Sequence, residues 1–136
     1  MTQQEPRRRQ LLGGEGSNEL ASVTAFEQGA GLVVAISGEV DISNVDSVAN
    51  VIHALPNVQD GLLIDLSDVR YLDSSAVSLL HDLAMRLRSR SQRLIVVSPP
   101  QTPPRRVLDL TALYINAPVT DAFESGVRML SSNEPL

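Results

Sequence analysis

The stretch Val69-Arg70-Tyr71-Leu72-Asp73-Ser74-Ser75-Ala76-Val77 decides how the rest of the chain reads. Before it comes a short apolar run, Leu62-Leu63-Ile64-Asp65-Leu66. After it, Val77, Leu80, Ala84 and Leu87, with Leu79 and Leu83 beside them, recur at helical spacing down to about Arg90. The run reads as a buried strand and the 3.6-residue period as an amphipathic helix. The junction therefore sets an Asp and two hydroxyls at a helix start, where backbone N–H groups lack intrahelical partners and the dipole is positive. Residues of this kind serve as caps. The same place also carries a phosphate at little structural cost.

The alternation extends in both directions. Upstream, Ala21 to Phe26 is a modest strand, Gly29-Ala30-Gly31 a turn, and Leu32-Val33-Val34-Ala35-Ile36 a strand buried on both faces, so the two strands form a hairpin. Ser43, with Asp46 three residues on, reads as the cap of a helix whose stripe is Val45, Val48, Ile52 and Leu55 and which Pro56 stops. Downstream, Leu94-Ile95-Val96-Val97 is a strand. Prolines between Pro99 and Pro104 forbid helix until Arg105, after which Arg106 to Leu110 forms a short one. Leu113-Tyr114-Ile115 reads as a short edge strand, and Thr120 as the cap of a last helix with Ala122, Phe123, Val127 and Leu130 inward. Strands alternating with helices require crossover connections. The expected fold is a single α/β domain: a mixed, mostly parallel sheet of four to five strands with about four helices. Its expected limits are residues 19–131, with a flexible N-terminal tail over 1–18 and a loose C-terminal tail over 132–136.

Composition narrows the function. A chain of 136 residues carrying 43% apolar residues has mass for one real core. No apolar run approaches the roughly 18 residues of a membrane span, and no signal peptide is legible at the start; the expectation is a cytoplasmic protein without membrane contact. There is no cysteine, which removes disulfides, zinc–thiolate sites and thiol switching. The net charge is −5 and every basic residue is Arg. An acidic domain is a poor partner for nucleic acid, and Arg7-Arg8-Arg9 is the only basic run. Gly13-Gly14-Glu15-Gly16 lacks the preceding strand and the Gly-Lys-Ser/Thr ending of a phosphate loop.

Three motifs in order resemble the STAS domain, the fold of bacterial anti-sigma factor antagonists. Ser37-Gly38-Glu39-Val40-Asp41 resembles the family's Gly-Glu-Leu-Asp signature. Leu72-Asp73-Ser74-Ser75-Ala76-Val77 sits where the family has its Asp-Ser-Ser-Gly-Leu phosphorylation loop. Ser98-Pro99, followed by Arg106-Val107-Leu108-Asp109-Leu110-Thr111-Ala112-Leu113, resembles Ser-Pro and then Arg-Leu-Phe-Asp-Met-Ser-Gly-Leu. The spacing holds from about Ala21 to Leu130. Ala76 departs from the Gly usual after the two serines, which carries a cost if that position needs φ > 0.

The resemblance implies a partner switch and no catalysis by this chain. Ser74 is the implied acceptor of a phosphate from an anti-sigma factor with a serine kinase domain. The unphosphorylated form would bind that factor and release a sigma factor, and a phosphatase would restore the binding form. The implied partner face comprises Asp41, Ser43, Asp73, Ser74, Ser75 and Ala76. No cofactor or metal is implied: Asp65 and Asp68 read as ordinary loop acids without ligand spacing. His53 and His81 read as structural helix residues, and Gly-x-Ser-x-Gly is absent, which argues against a serine hydrolase. On the residues alone Ser74 and Ser75 remain caps or a phosphate site. Two further readings stand beside the switch: a STAS module sensing a phosphate-bearing small ligand or nucleotide, and a scaffold subunit of a stress-signalling assembly.

Overall fold

The apolar runs form strands because each is covered on both sides. In the computed structural model, which describes residues 9–12, 21–56 and 60–132, the sheet has six strands in chain order: β1 (Arg9–Leu12), β2 (Ala21–Gln28), β3 (Gly31–Val40), β4 (Gly61–Leu72), β5 (Arg93–Val97) and β6 (Val119–Thr120). From Ala21 onward there are five. β1–β2 and β2–β3 are antiparallel; β3–β4, β4–β5 and β5–β6 are parallel. The helices are α1 (Val45–His53), α2 (Ser74–Ser89), α3 (Pro103–Leu110) and α4 (Phe123–Ser131), with a 3₁₀ turn at Leu113–Ile115. The fold is the single mixed α/β domain expected from the alternation.

Successive side chains on a strand point to opposite faces, and two cores result. On one face Leu32, Val34, Ile36, Leu62, Ile64, Leu94 and Val96 pack with the inward stripes of α1, α2 and α3. On the other, Val33, Leu63, Ile95 and Val97 pack with Phe26 and with Leu130 of α4. The α2 stripe is buried as its period predicts: Val77, Leu79, Leu80, Leu83, Ala84 and Leu87. Each of the Val and Leu side chains contributes about 1.5–3 kcal/mol through burial. Helix α4 lies close to the sheet because Gly126 has no side chain. A Cβ there would come within 2.6 Å of Val97 Cγ2 and 2.9 Å of Leu63 Cδ1.

Several expectations are corrected. Arg9–Leu12 pairs with the free edge of β2, inside the segment expected to be a flexible tail; an unpaired strand edge is a template for any extended segment nearby. The remainder of that segment, with Arg7-Arg8 and the Gly13–Gly16 cluster, lies outside the described residues, as do residues 133–136 of the expected C-terminal tail. β4 runs on to Leu72, so Asp65 and Asp68 lie within a strand; Asp65 Oδ1 accepts from Ser67 N (3.0 Å) and Ser67 Oγ (2.6 Å). Helix α3 begins at Pro103, not after Arg105, because the first turn of a helix needs no N–H from proline. Thr102 caps it.

The largest difference follows α3. Leu113–Ile115 is a 3₁₀ turn, not an edge strand. Ala112 adopts the left-handed conformation (φ 57°, ψ 38°), which turns the chain so that Leu113 is buried. The edge strand comes later, where Val96 N donates to Pro118 O and Ser98 N to Thr120 O, both at 2.9 Å. Thr120 therefore belongs to β6 and does not cap α4; its hydroxyl lies 2.5 Å from that of Ser125. Ala122 precedes α4 and is not itself an inward residue of it.

Candidate functional site

β4 ends at Leu72 and α2 begins at Ser74, so Asp73 is the single residue between them. Its backbone is extended (φ −112°, ψ −172°) and its N–H still donates to Val40 O of β3 at 3.3 Å. The side chain then serves two neighbours. Oδ1 accepts from Ser75 N at 3.0 Å, Ala76 N at 3.2 Å and Ser75 Oγ at 2.5 Å, which caps α2. Oδ2 accepts from Ile42 N at 3.0 Å, across 31 residues of sequence. Partial burial on its own would raise the Asp73 pKa. The hydrogen bonds from the Ser75 hydroxyl and from the N–H groups of Ala76, Ile42 and Ser75 outweigh it and hold the carboxyl below its ordinary value.

Ile42 belongs to the β3–α1 loop, which is closed on itself. Asp41 Oδ1 accepts from Ser43 N at 2.9 Å and Ser43 Oγ at 2.5 Å. Asn44, buried, accepts from Asp41 N at 2.9 Å and donates through Nδ2 to Glu39 O at 2.8 Å. Asn44 and not Ser43 is the residue at the start of α1, and its side chain makes no cap bond because it is committed to the loop. The expected capping box of Ser43 and Asp46 is absent.

The bond between Asp73 and Ile42 thus joins two loops into one surface. It carries Asp41, Ser43, Asp73, Ser74 and Ser75, five of the six residues expected at a partner face. The sixth, Ala76, is 4% exposed and faces the core, so it offers no side chain to a partner. It lies in the first turn of α2 and is not among the residues with positive φ, so the missing glycine costs nothing there. The two serines differ sharply. The Ser75 hydroxyl is spent on Asp73. Ser74 is exposed, and among the described residues nothing is hydrogen-bonded to its side chain.

Two residues at this surface escaped the reading of the sequence. Ile42 is 77% exposed and Tyr71, near the end of β4, 48%. An apolar residue between Asp41 and Ser43 was the available signal for the first. Neither histidine serves Ser74. His81 lies seven residues along α2, about 10 Å down the axis, with Nδ1 against the Asn116 amide at 2.8 Å. His53 lines a cleft of about 70 Å³ with Ile52, Leu62, Arg86, Leu87 and Arg90, at the opposite end of α2. Burial and then the Arg86 charge push its pKa down, against Asp82. Among the described residues no cluster of His, Asp or Glu could hold a metal ion, and no helix is long and apolar enough to cross a membrane.

A family described as "Mlab, STAS domain" matches residues 23–114. Among curated proteins there is no match. Among solved structures, the fold is similar to an anti-sigma factor antagonist from Mycobacterium paratuberculosis, with TM-score 0.76 and 22% identity over 87% of this chain and 100% of that one. It is also similar to a variant of RsbS from Moorella thermoacetica, with TM-score 0.62 and 19% identity over 79% of this chain and 93% of that one. The third is the anti-sigma factor antagonist SpoIIAA in its unphosphorylated form, with TM-score 0.54 and 18% identity over 76% and 92%.

Proposed function

Because this chain belongs to the STAS domain family, we propose that it is an anti-sigma factor antagonist switched by phosphorylation of Ser74. Unphosphorylated, it binds an anti-sigma factor that carries a serine kinase domain, and the sigma factor is released. Phosphorylated, it no longer binds, and a phosphatase restores it. The observation that carries this reading is the contrast within the serine pair: Ser75 is locked to Asp73, while Ser74 is exposed with its hydroxyl unengaged among the described residues.

The chemistry agrees. A phosphate adds about −1.5 to −2 charge and three acceptor oxygens. It would appear beside Asp73, with Asp41 on the joined loop, in a chain already at −5. A partner surface fitted to a neutral hydroxyl would then meet a dense negative charge. The fold need not rearrange, since the Ser74 side chain holds nothing together.

The same geometry weighs against a module that senses a free phosphate-bearing ligand. The N–H groups of Ser75 and Ala76 are filled by the carboxylate of Asp73. An incoming phosphate would have to displace a charged cap before it could use the helix start.

The test is capture of serine-kinase anti-sigma factors from the same genome, using wild type and Ser74→Glu as baits, with phosphosites mapped by mass spectrometry. Capture by wild type alone, with phosphate on Ser74, is expected. Equal capture by both baits, or phosphate nowhere on the chain, would reject the switch.

A further inference from the structure

We propose that Ile42 is the apolar anchor by which the anti-sigma factor grips this surface, and that Asp73 positions it. This inference rests on the reading given under Proposed function.

A single exposed aliphatic side chain is ordinary on a protein surface and needs no explanation. Ile42 differs in how it is held. Its own N–H is bound by Asp73 Oδ2 at 3.0 Å. On one side Asp41 closes a turn over Ser43, and on the other the buried Asn44 ties Asp41 N to Glu39 O. A β-branched side chain that is 77% exposed is therefore fixed at both backbone flanks. Side chains of this kind cost little entropy when a partner covers them, which is how anchors gain affinity. Binding energy at protein interfaces concentrates in a few such groups seated in partner pockets.

Position identifies the occupant. The acceptor that holds Ile42 is the residue immediately before Ser74. A kinase domain that reaches the Ser74 hydroxyl must cover the joined surface on which Ile42 stands. The partner face that fits is an apolar pocket with a cationic group at its rim, facing Asp41, since Glu39 is already paired with Arg70 at 3.7 Å.

The roles of Ile42 and Asp73 are separable. In Asp73→Asn the remaining carbonyl oxygen can still accept from Ser75 N and Ala76 N, and Asn is among the best caps. Its amide nitrogen would then face Ile42 N–H, two donors together, and the loop is released.

The experiment is calorimetric titration of the purified serine-kinase anti-sigma factors of the same genome against wild type, Ile42→Ala, Asp73→Asn, the double variant and Ser74→Glu. Thermal midpoints and the kcat/KM for phosphorylation of Ser74 are measured alongside. Ile42→Ala is expected to keep its thermal midpoint and lose about tenfold or more in affinity, as a central anchor does, with kcat/KM falling in parallel. Asp73→Asn is expected to bind more weakly than wild type, and the double variant no more weakly than Ile42→Ala alone. Additive losses in the double variant would overturn the positioning role of Asp73. Wild-type affinity for Ile42→Ala, where Ser74→Glu abolishes binding, would overturn the anchor and leave the switch standing. An effect of Ile42→Ala on self-association alone would also overturn it. If no factor binds wild type, the reading under Proposed function fails and the anchor with it.

Discussion

Asp73 concentrates the design of the site in one carboxylate, because it caps a helix with one oxygen and ties a distant loop with the other. Its four hydrogen bonds are made to the charged form, which is why the pKa lies below the ordinary value despite partial burial. The unfolded chain titrates near the ordinary value, about 3.9. Between the two values the unfolded state holds more protons, so stability rises with pH across that window. The contribution of Asp73 is fully present above about pH 4 and is lost as pH falls through its depressed folded value. Asp73→Ala is accordingly expected to lower stability at pH 7 by about 0.5–2 kcal/mol, the range of an N-cap. Urea unfolding at pH 7 and again near pH 2–3 checks this: the deficit should shrink in acid. An equal deficit at both would mean that the carboxylate charge is not what stabilises the site.

At the scale of elements, α2 and α3 end by the same device without the residue that usually marks it. After α2, Ser91 (φ 59°) turns left-handed, with Ser91 N donating to Arg88 O and Gln92 N to Leu87 O. After α3, Ala112 does the same, with its N–H donating to Asp109 O. Glycine is favoured at such ends, and Ala112 stands where the quoted family motif has it. A left-handed non-glycine residue costs about 1–2 kcal/mol, part of which glycine returns through unfolded-state entropy. Ala112→Gly is therefore expected to stabilise the protein by about 0.5–1 kcal/mol, read from the shift in denaturant midpoint. A loss of stability would mean that the Ala112 methyl packs more than its backbone strains. This absence of glycine also explains where the sequence was illegible. With no marker at Ala112, Leu113–Ile115 read as a strand, and the real edge strand, two residues long, carried too weak a pattern to find. Where apolar period and burial coincide, as in β3, β4 and α2, elements and their inward faces were legible. The helix start that carries the candidate site was legible too, because Asp73, Ser74 and Ser75 are consecutive. Ile42 was not, since its place depends on a hydrogen bond between residues 31 apart, and Ala76 was misjudged because a motif does not say which of its members face inward.

For the whole molecule, what holds the fold together is separate from the Ser74 side chain. Both cores, the parallel strands and the cap of α2 are complete without the Ser74 side chain. The surface around it is held from two sides by Asp73 and by the closed β3–α1 loop. A charge added at Ser74 should thus change what the molecule binds and leave its fold alone. The most direct measurement compares the affinity of one purified serine-kinase anti-sigma factor for the unphosphorylated chain and for the chain phosphorylated at Ser74, with circular dichroism on both forms. The account predicts binding at least about tenfold tighter for the unphosphorylated form, roughly 1.4 kcal/mol, with superimposable spectra. Equal affinities, or a loss of binding that accompanies a loss of structure, would contradict it.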